Sequence, residues 1–198
     1  MSKYDIILSW FPGIIFPISI ILNIIKVFKS RNVSGFNPIT YIIFVIADLL
    51  GFILEKIPFK LNNIFGFLVP FILNVILLSI YFWKTNINKL IIFLLITGII
   101  FITVFYQLED NKKEIKKYKK EIDYGLNLLL PIAAFLQLFK ILYKKSAKGI
   151  SRESWLLSLI GSIGLFFLEG RFNDPLAYLG TFGSAFIKFL IIYYTYVY

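Results

Sequence analysis

The 198-residue chain has no cysteine and no histidine. Their absence excludes a Cys/His metal site, a disulfide framework and a thiol nucleophile. A Ser-His-Asp triad and a histidine proton relay are excluded with them. The sequence also lacks a P-loop, a G-x-G-x-x-G fingerprint and any polar stretch long enough for a soluble domain. Charge is sparse: 16% of residues are Asp, Glu, Lys or Arg, where a soluble domain carries about 25%. An enzyme is therefore not expected, and neither is a cofactor or a metal.

What the chain does have is apolar surface. The hydrophobic fraction is 59%, against roughly 45–50% in soluble domains. Long apolar runs follow one another, which predicts a multi-pass protein integral to the cell membrane, with the lipid bilayer as a partner. The net charge is +10, from 21 basic and 11 acidic residues. In membrane proteins such an excess sits in loops and fixes topology. No basic patch stands on a folded soluble surface, so nucleic acid is not an expected partner.

A membrane span needs about 20 apolar residues. Seven are read, at 7–28, 38–55, 64–83, 89–107, 124–143, 153–169 and 175–197. The predicted fold class is thus an all-α membrane protein with seven transmembrane helices. The breaks carry loop chemistry: Lys29-Ser30-Arg31-Asn32, Lys56-Ile57-Pro58, Lys84-Thr85-Asn86 and Lys144-Lys145-Ser146. Asn173-Asp174-Pro175 is a turn signal followed by a good helix start. The first segment lacks a basic leader and a small-residue cleavage site, so it is read as a span. The polar stretch 107–123 mixes Lys and Glu, as suits a solvated connector or a short helix on the membrane surface.

The chain also matches itself. A shift of 114 residues carries Pro17 onto Pro131, Leu22 onto Leu136, Asn23 onto Gln137 and Lys26 onto Lys140. It carries Gly35 onto Gly149, Phe52 onto Phe166, Glu55 onto Glu169 and Gly66 onto Gly180. Aliphatic identities mean little in this composition; the coincidence of Pro, Asn/Gln, Lys, Gly and Glu landmarks is the signal. Residues 1–85 form the first three-helix repeat, 86–123 a linker helix and charged loop, and 124–198 the second repeat. Three crossings and a linker crossing return the chain to its starting side, so the repeats are parallel. Parallel repeats are one of the transporter plans, with the substrate site at the repeat interface.

The second repeat reads Gln137, Lys140, then Lys144-Lys145-Ser146-Ala147-Lys148-Gly149-Ile150-Ser151. The first has Asn23, then Arg31-Asn32-Val33-Ser34-Gly35-Phe36-Asn37. With the 3+1+3 plan, these motifs resemble the SWEET and PQ-loop transporter superfamily. The resemblance departs at the Pro-Gln pair: Leu22 and Leu136 stand in place of its proline, and Pro17 and Pro131 lie about a turn and a half earlier. The resemblance implies gating or hinge roles for Gln137, Asn23, Pro17 and Pro131; read from the residues alone, Gln137 and Asn23 make interhelical hydrogen bonds. With the basic short loops, it also implies an N-terminus outside the cell. Trp155, Ser158, Gly161, Asn173-Asp174-Pro175 and Leu179-Gly180 are similar to the lipid A disaccharide synthase N-terminal-like domain. That second, weaker likeness implies handling of a lipid or a lipid-linked sugar.

Ionisable groups inside a span are costly and mark candidate sites. Asp48 and Lys188 fall near mid-span, as does Asn74, and the 114-residue shift equates Asn74 with Lys188 and Asp48 with Ser162. In SWEET-like transporters an Asn on the third helix of each repeat contacts substrate. The resemblance gives Asn74 that role and puts Lys188 where the second Asn would stand. A lysine ammonium suits a carboxylate or phosphate better than a neutral sugar. The candidate substrate-binding set is Asn74, Lys188, Asp48, Ser162 and Trp155. Asp48 and Lys188 either form a buried salt bridge or line the cavity. Glu55 and Glu169 read as carboxylates at span ends. Trp10, Trp83, Trp155 and Tyr193, Tyr194, Tyr196 and Tyr198 fall near span ends, as an aromatic belt would, although Trp155 has a second reading as a cap on the cavity.

The expected function is transport of a small polar solute, a sugar or a small organic or amino acid, by alternating access. The alternatives are lipid or lipid-linked sugar handling, and a seven-helix receptor that holds a peptide carboxylate. The plan leaves room for a homo-oligomer.

Overall fold

The computed structural model describes residues 3–55, 64–110, 117, 119–169 and 175–198. The molecule is all-α. Among the described residues there are seven α-helices and no strand. They are α1 (Lys3–Lys29), α2 (Pro38–Glu55), α3 (Val69–Thr85), α4 (Ile87–Asp110), α5 (Lys119–Lys144), α6 (Arg152–Glu169) and α7 (Pro175–Val197). A π-helical turn over Ile64–Leu68 leads into α3. α3 starts with Pro70 in its first turn, where the missing N–H costs nothing. Pro175 opens α7 in the same way. α5 starts at Lys119 rather than 124, because backbone hydrogen bonding does not stop where hydropathy falls. Of the connector 107–123, residues 111–116 and 118 lie outside the described set, as do Asn173, Asp174 and the side chains of Glu55 and Glu169.

Two of these helical stretches, Phe65–Thr85 and Tyr124–Lys144, are long and apolar enough to cross a membrane, with mean hydropathy 2.3 and 1.8. Pro38–Ile53 and Ile87–Thr103 are shorter apolar stretches.

Helix order in space follows one rule twice. α3 packs on both α1 and α2, and α7 packs on both α5 and α6. Between the two sets, α1 lies against α6 and α2 against α5. α4 packs on α3. Two apolar cores result. The first gathers Ile20, Val27, Phe36, Tyr41 and Leu77 among its residues. The second holds Ala134, Ile141, Ile150, Trp155 and Ile191. Each residue of the second group stands 114 positions after its counterpart in the first.

Polar side chains are frequent in the interior beside the two apolar cores, and large apolar ones are frequent on the outside. Ser19, Asn23, Asn37, Thr40, Asn74, Gln137, Ser151, Ser154, Ser162, Ser184 and Lys188 are buried. Large aliphatic and aromatic side chains face outward instead, and α4 shows it most: Leu95, Ile99 and Ile102 are each more than 60% exposed.

One end of the bundle gathers the ends of α1, α3, α5 and α7 and the starts of α2 and α6. There Lys84 Nζ donates to the carbonyls of Val27 at 2.8 Å, Phe28, and Ser30 at 2.9 Å. A single ammonium thus caps the orphan carbonyls at the end of α1 and sits at the negative end of its dipole.

Candidate functional site

At this same end the two loops interlock. Gly35 and Gly149 make the contact possible. A Cβ on Gly35 would lie 2.3 Å from the Ser146 carbonyl oxygen, and one on Gly149 would lie 2.9 Å from Val33 Cα. Gly149 also holds φ +88°, which disfavours any residue with a side chain. Gly35 N–H donates to the Lys148 carbonyl at 3.1 Å. Ser34 Oγ and Ser146 Oγ are 3.1 Å apart.

Just inside the loops sits a reciprocal pair of amide clamps. Gln137, on α5, accepts from the Asn37 N–H at 3.0 Å and donates to the Gly35 carbonyl at 2.8 Å. Asn23, on α1, accepts from the Ser151 N–H at 3.1 Å and donates to the Tyr41 hydroxyl at 3.0 Å. Asn23 and Gln137 are 114 residues apart, and so are Asn37 and Ser151. Each side chain therefore caps the entry to the second helix of the opposite half. Asn37 Nδ2 to Leu136 O at 2.8 Å and Thr40 Oγ1 to Ala133 O at 2.9 Å extend this polar seam.

Below the seam, between the two halves, lies a cavity of about 260 Å³. That is near the small end of ligand sites, roughly 300–1,000 Å³. Asn23, Tyr41 and Trp155 line its closed end. Its walls use equivalent positions of both halves: Phe16 and Leu130, Tyr41 and Trp155, Asp48 and Ser162, Gly66 and Gly180, Asn74 and Lys188. Asn127 of α5 and Ser184 of α7 add to the polar lining, with Ser19, Ser154, Ser158 and Thr181.

All five candidate substrate-binding residues border this cavity. They are paired along the repeat. Asn74 Nδ2 donates to Asp48 Oδ2 at 2.9 Å. In the other half Lys188 Nζ donates to Ser162 Oγ at 2.6 Å, with a longer contact to the Ser158 carbonyl at 3.4 Å. Both pairs are 26 residues apart in sequence. The Asp48–Lys188 salt bridge considered from sequence is not formed; each charge is held by a neutral partner in its own half. Trp155 is 2% exposed against the cavity, so it is no part of an outward aromatic belt. Trp83, Tyr193, Tyr196 and Tyr198 are exposed. Trp10's side chain lies outside the described set.

Of the candidate hinge residues, Asn23 borders the cavity while Gln137 lies beyond it in the seam. Pro17 and Pro131 are interior positions of α1 and α5, and both helices run through them. Proline cannot donate to the carbonyl four residues earlier. For Pro131 that is Asn127, and α7 comes so close to it that a Cβ on Gly180 would lie 2.5 Å from the Asn127 oxygen.

Sequence reasoning missed Tyr41, Asn127 and Ser184. Tyr41 was within reach, since the 114-residue shift equates it with Trp155. Four buried polar side-chain atoms among the described residues make no hydrogen bond of good geometry: Asn74 Oδ1, Asn127 Nδ2, Ser184 Oγ and Trp155 Nε1, the last of which approaches the Tyr41 hydroxyl. Buried polar groups are normally paired, so each such atom calls for a reason. All four residues border this one cavity. No family model, curated protein or solved structure matches the chain.

Proposed function

We propose that the chain is a multi-pass membrane protein of seven spans that moves a small polar solute by alternating access, on a SWEET/PQ-loop-like 3+1+3 plan. The observation that carries this reading is the convergence of the poorly partnered buried side-chain polar atoms among the described residues on one cavity between matching halves. Such atoms are costly unless a ligand completes them. The apolar exterior supports a lipid surround, in which backbone polarity must be satisfied inside each helix. The third helix packs on the first and second in each half, and the first helix of each half packs on the second of the other, which supports a site shared by both halves. The interlocked loops and amide clamps supply one gate, closed in this conformation.

The reading involves no bond-making chemistry and no metal. A cavity this small fits a solute and is too small for a folded partner or an extended peptide, which weighs against the receptor alternative. The test is uptake by sealed proteoliposomes containing the purified protein. Saturable entry of at least one small polar solute, above that of protein-free liposomes, is the expected result. Absence of uptake and exchange across sugars, amino acids and organic acids would sink the transport reading.

A further inference from the structure

The two walls of the cavity differ in hydrogen-bonding sense. On the first half, Asn74 turns its NH₂ group onto Asp48. Against an ionised Asp48 the opposite amide orientation would set oxygen against carboxylate, which favours this one. What remains open on that wall is Asn74 Oδ1, buried and unpartnered, and the second carboxylate oxygen of Asp48. Both only accept. On the other half the open groups are Asn127 Nδ2, a donor, and the Ser184 hydroxyl; Trp155 Nε1 is turned toward the Tyr41 hydroxyl. Lys188 adds an ammonium with three donors, of which Ser162 takes one at 2.6 Å and the Ser158 carbonyl a longer one. Asp48 and Asn74 thus set one wall toward negative charge and acceptors, and Lys188 and Asn127 set the facing wall toward positive charge and donors.

We propose that the solute is a small zwitterion of the α-amino-acid type, its ammonium held by Asp48 and Asn74 and its carboxylate by Lys188 and Asn127. This rests on the transport reading above and names its substrate class. The two ionisable groups border one cavity without pairing with each other, so a ligand carrying both signs completes both in their charged forms. A neutral sugar pairs neither charge. A simple anion satisfies Lys188 and meets Asp48 as a like charge. A simple amine has the converse fault. The cavity's small volume limits the side chain to a compact one.

The test is a thermal-shift titration of the detergent-purified full chain with L-alanine, L-serine, L-alaninol, propionate and glucose. L-Alaninol lacks the carboxylate and propionate lacks the ammonium. The two amino acids are expected to raise Tm saturably, with apparent affinity about tenfold or more above that of either half-ligand. Lys188→Met is expected to abolish the amino-acid response and keep the alaninol one. Asp48→Asn is expected to lose alaninol and keep propionate. A response to glucose, propionate or alaninol equal to or above that to alanine overturns the zwitterion proposal and leaves the transport reading intact. Silence to all five probes, with no uptake of any solute by proteoliposomes, removes both. The native-protein panel decides the matter even where a variant fails to fold.

Discussion

Single side chains carry the polar interior, and their partners set the consequences of changing them. Gln137 is fully buried and satisfies two backbone groups, the Asn37 N–H and the Gly35 carbonyl. Gln137→Ala leaves both unpaired, at roughly 1–3 kcal/mol each. Its Tm in detergent should fall clearly below wild type, and an unchanged Tm would show that the seam is not a structural element. Lys188 differs in kind. Lys188→Asn restores the residue type of its counterpart Asn74, opposite a serine that can donate or accept. That variant should fold, with Tm close to wild type, while its solute preference shifts toward neutral hydroxyl compounds. A competition assay against the preferred native solute reads the shift.

Whole elements show where glycine is needed and where it is only tolerated. On α4, Gly98 faces open space, so a Cβ there touches nothing within 4 Å. Gly98→Ala should raise helix stability by up to about 1 kcal/mol, since Ala loses less backbone entropy. On α7, Gly180 lies against the carbonyl freed by Pro131. Gly180→Ala must push α7 away from α5 and should lower stability by about 1–3 kcal/mol. Comparing the two Tm values separates packing from propensity, because both residues sit inside helices. The end of α1 gives a third case. Lys84→Met keeps the stem length and removes the cap on three carbonyls. Fraying of α1 should appear as faster amide exchange at residues 27–30, with α6 unaffected.

At the scale of the molecule, two matching halves meet in a cavity and close at one end. If that end is a gate, tying it shut must stop transport without harming the fold. The chain has no native cysteine, which makes the experiment clean. Ser34 Oγ and Ser146 Oγ are 3.1 Å apart across the interlocked loops, within the reach of a disulfide. A Ser34→Cys, Ser146→Cys double variant should transport when reduced and stop when oxidised, with activity restored by reductant. Undiminished transport by the fully oxidised protein would mean that the loops do not separate during the cycle.

Seven helices and their order were legible in the sequence, because apolar run length and loop chemistry act locally. The offset of 114 was legible too, since Pro, Gly and amide landmarks recur on it. From that offset alone follow the equivalences Asn23 with Gln137 and Asn74 with Lys188. Which residues those groups touch was not legible. Asp48 and Lys188 read as natural ion-pair partners, since buried charges attract, yet each is held by the residue 26 positions away on its own half. Trp155 read as a belt residue by its place near a span end, while packing turned it inward. Ser184 and Asn127 carried no sequence signal, because a lone serine or asparagine in an apolar helix looks the same facing lipid or cavity. The sequence by itself determined the helices and their repetition, through local hydropathy and spacing. Only the tertiary structure decided which faces meet, because packing two copies across an interface sets the contacts, and with them the donor wall and the acceptor wall of the cavity.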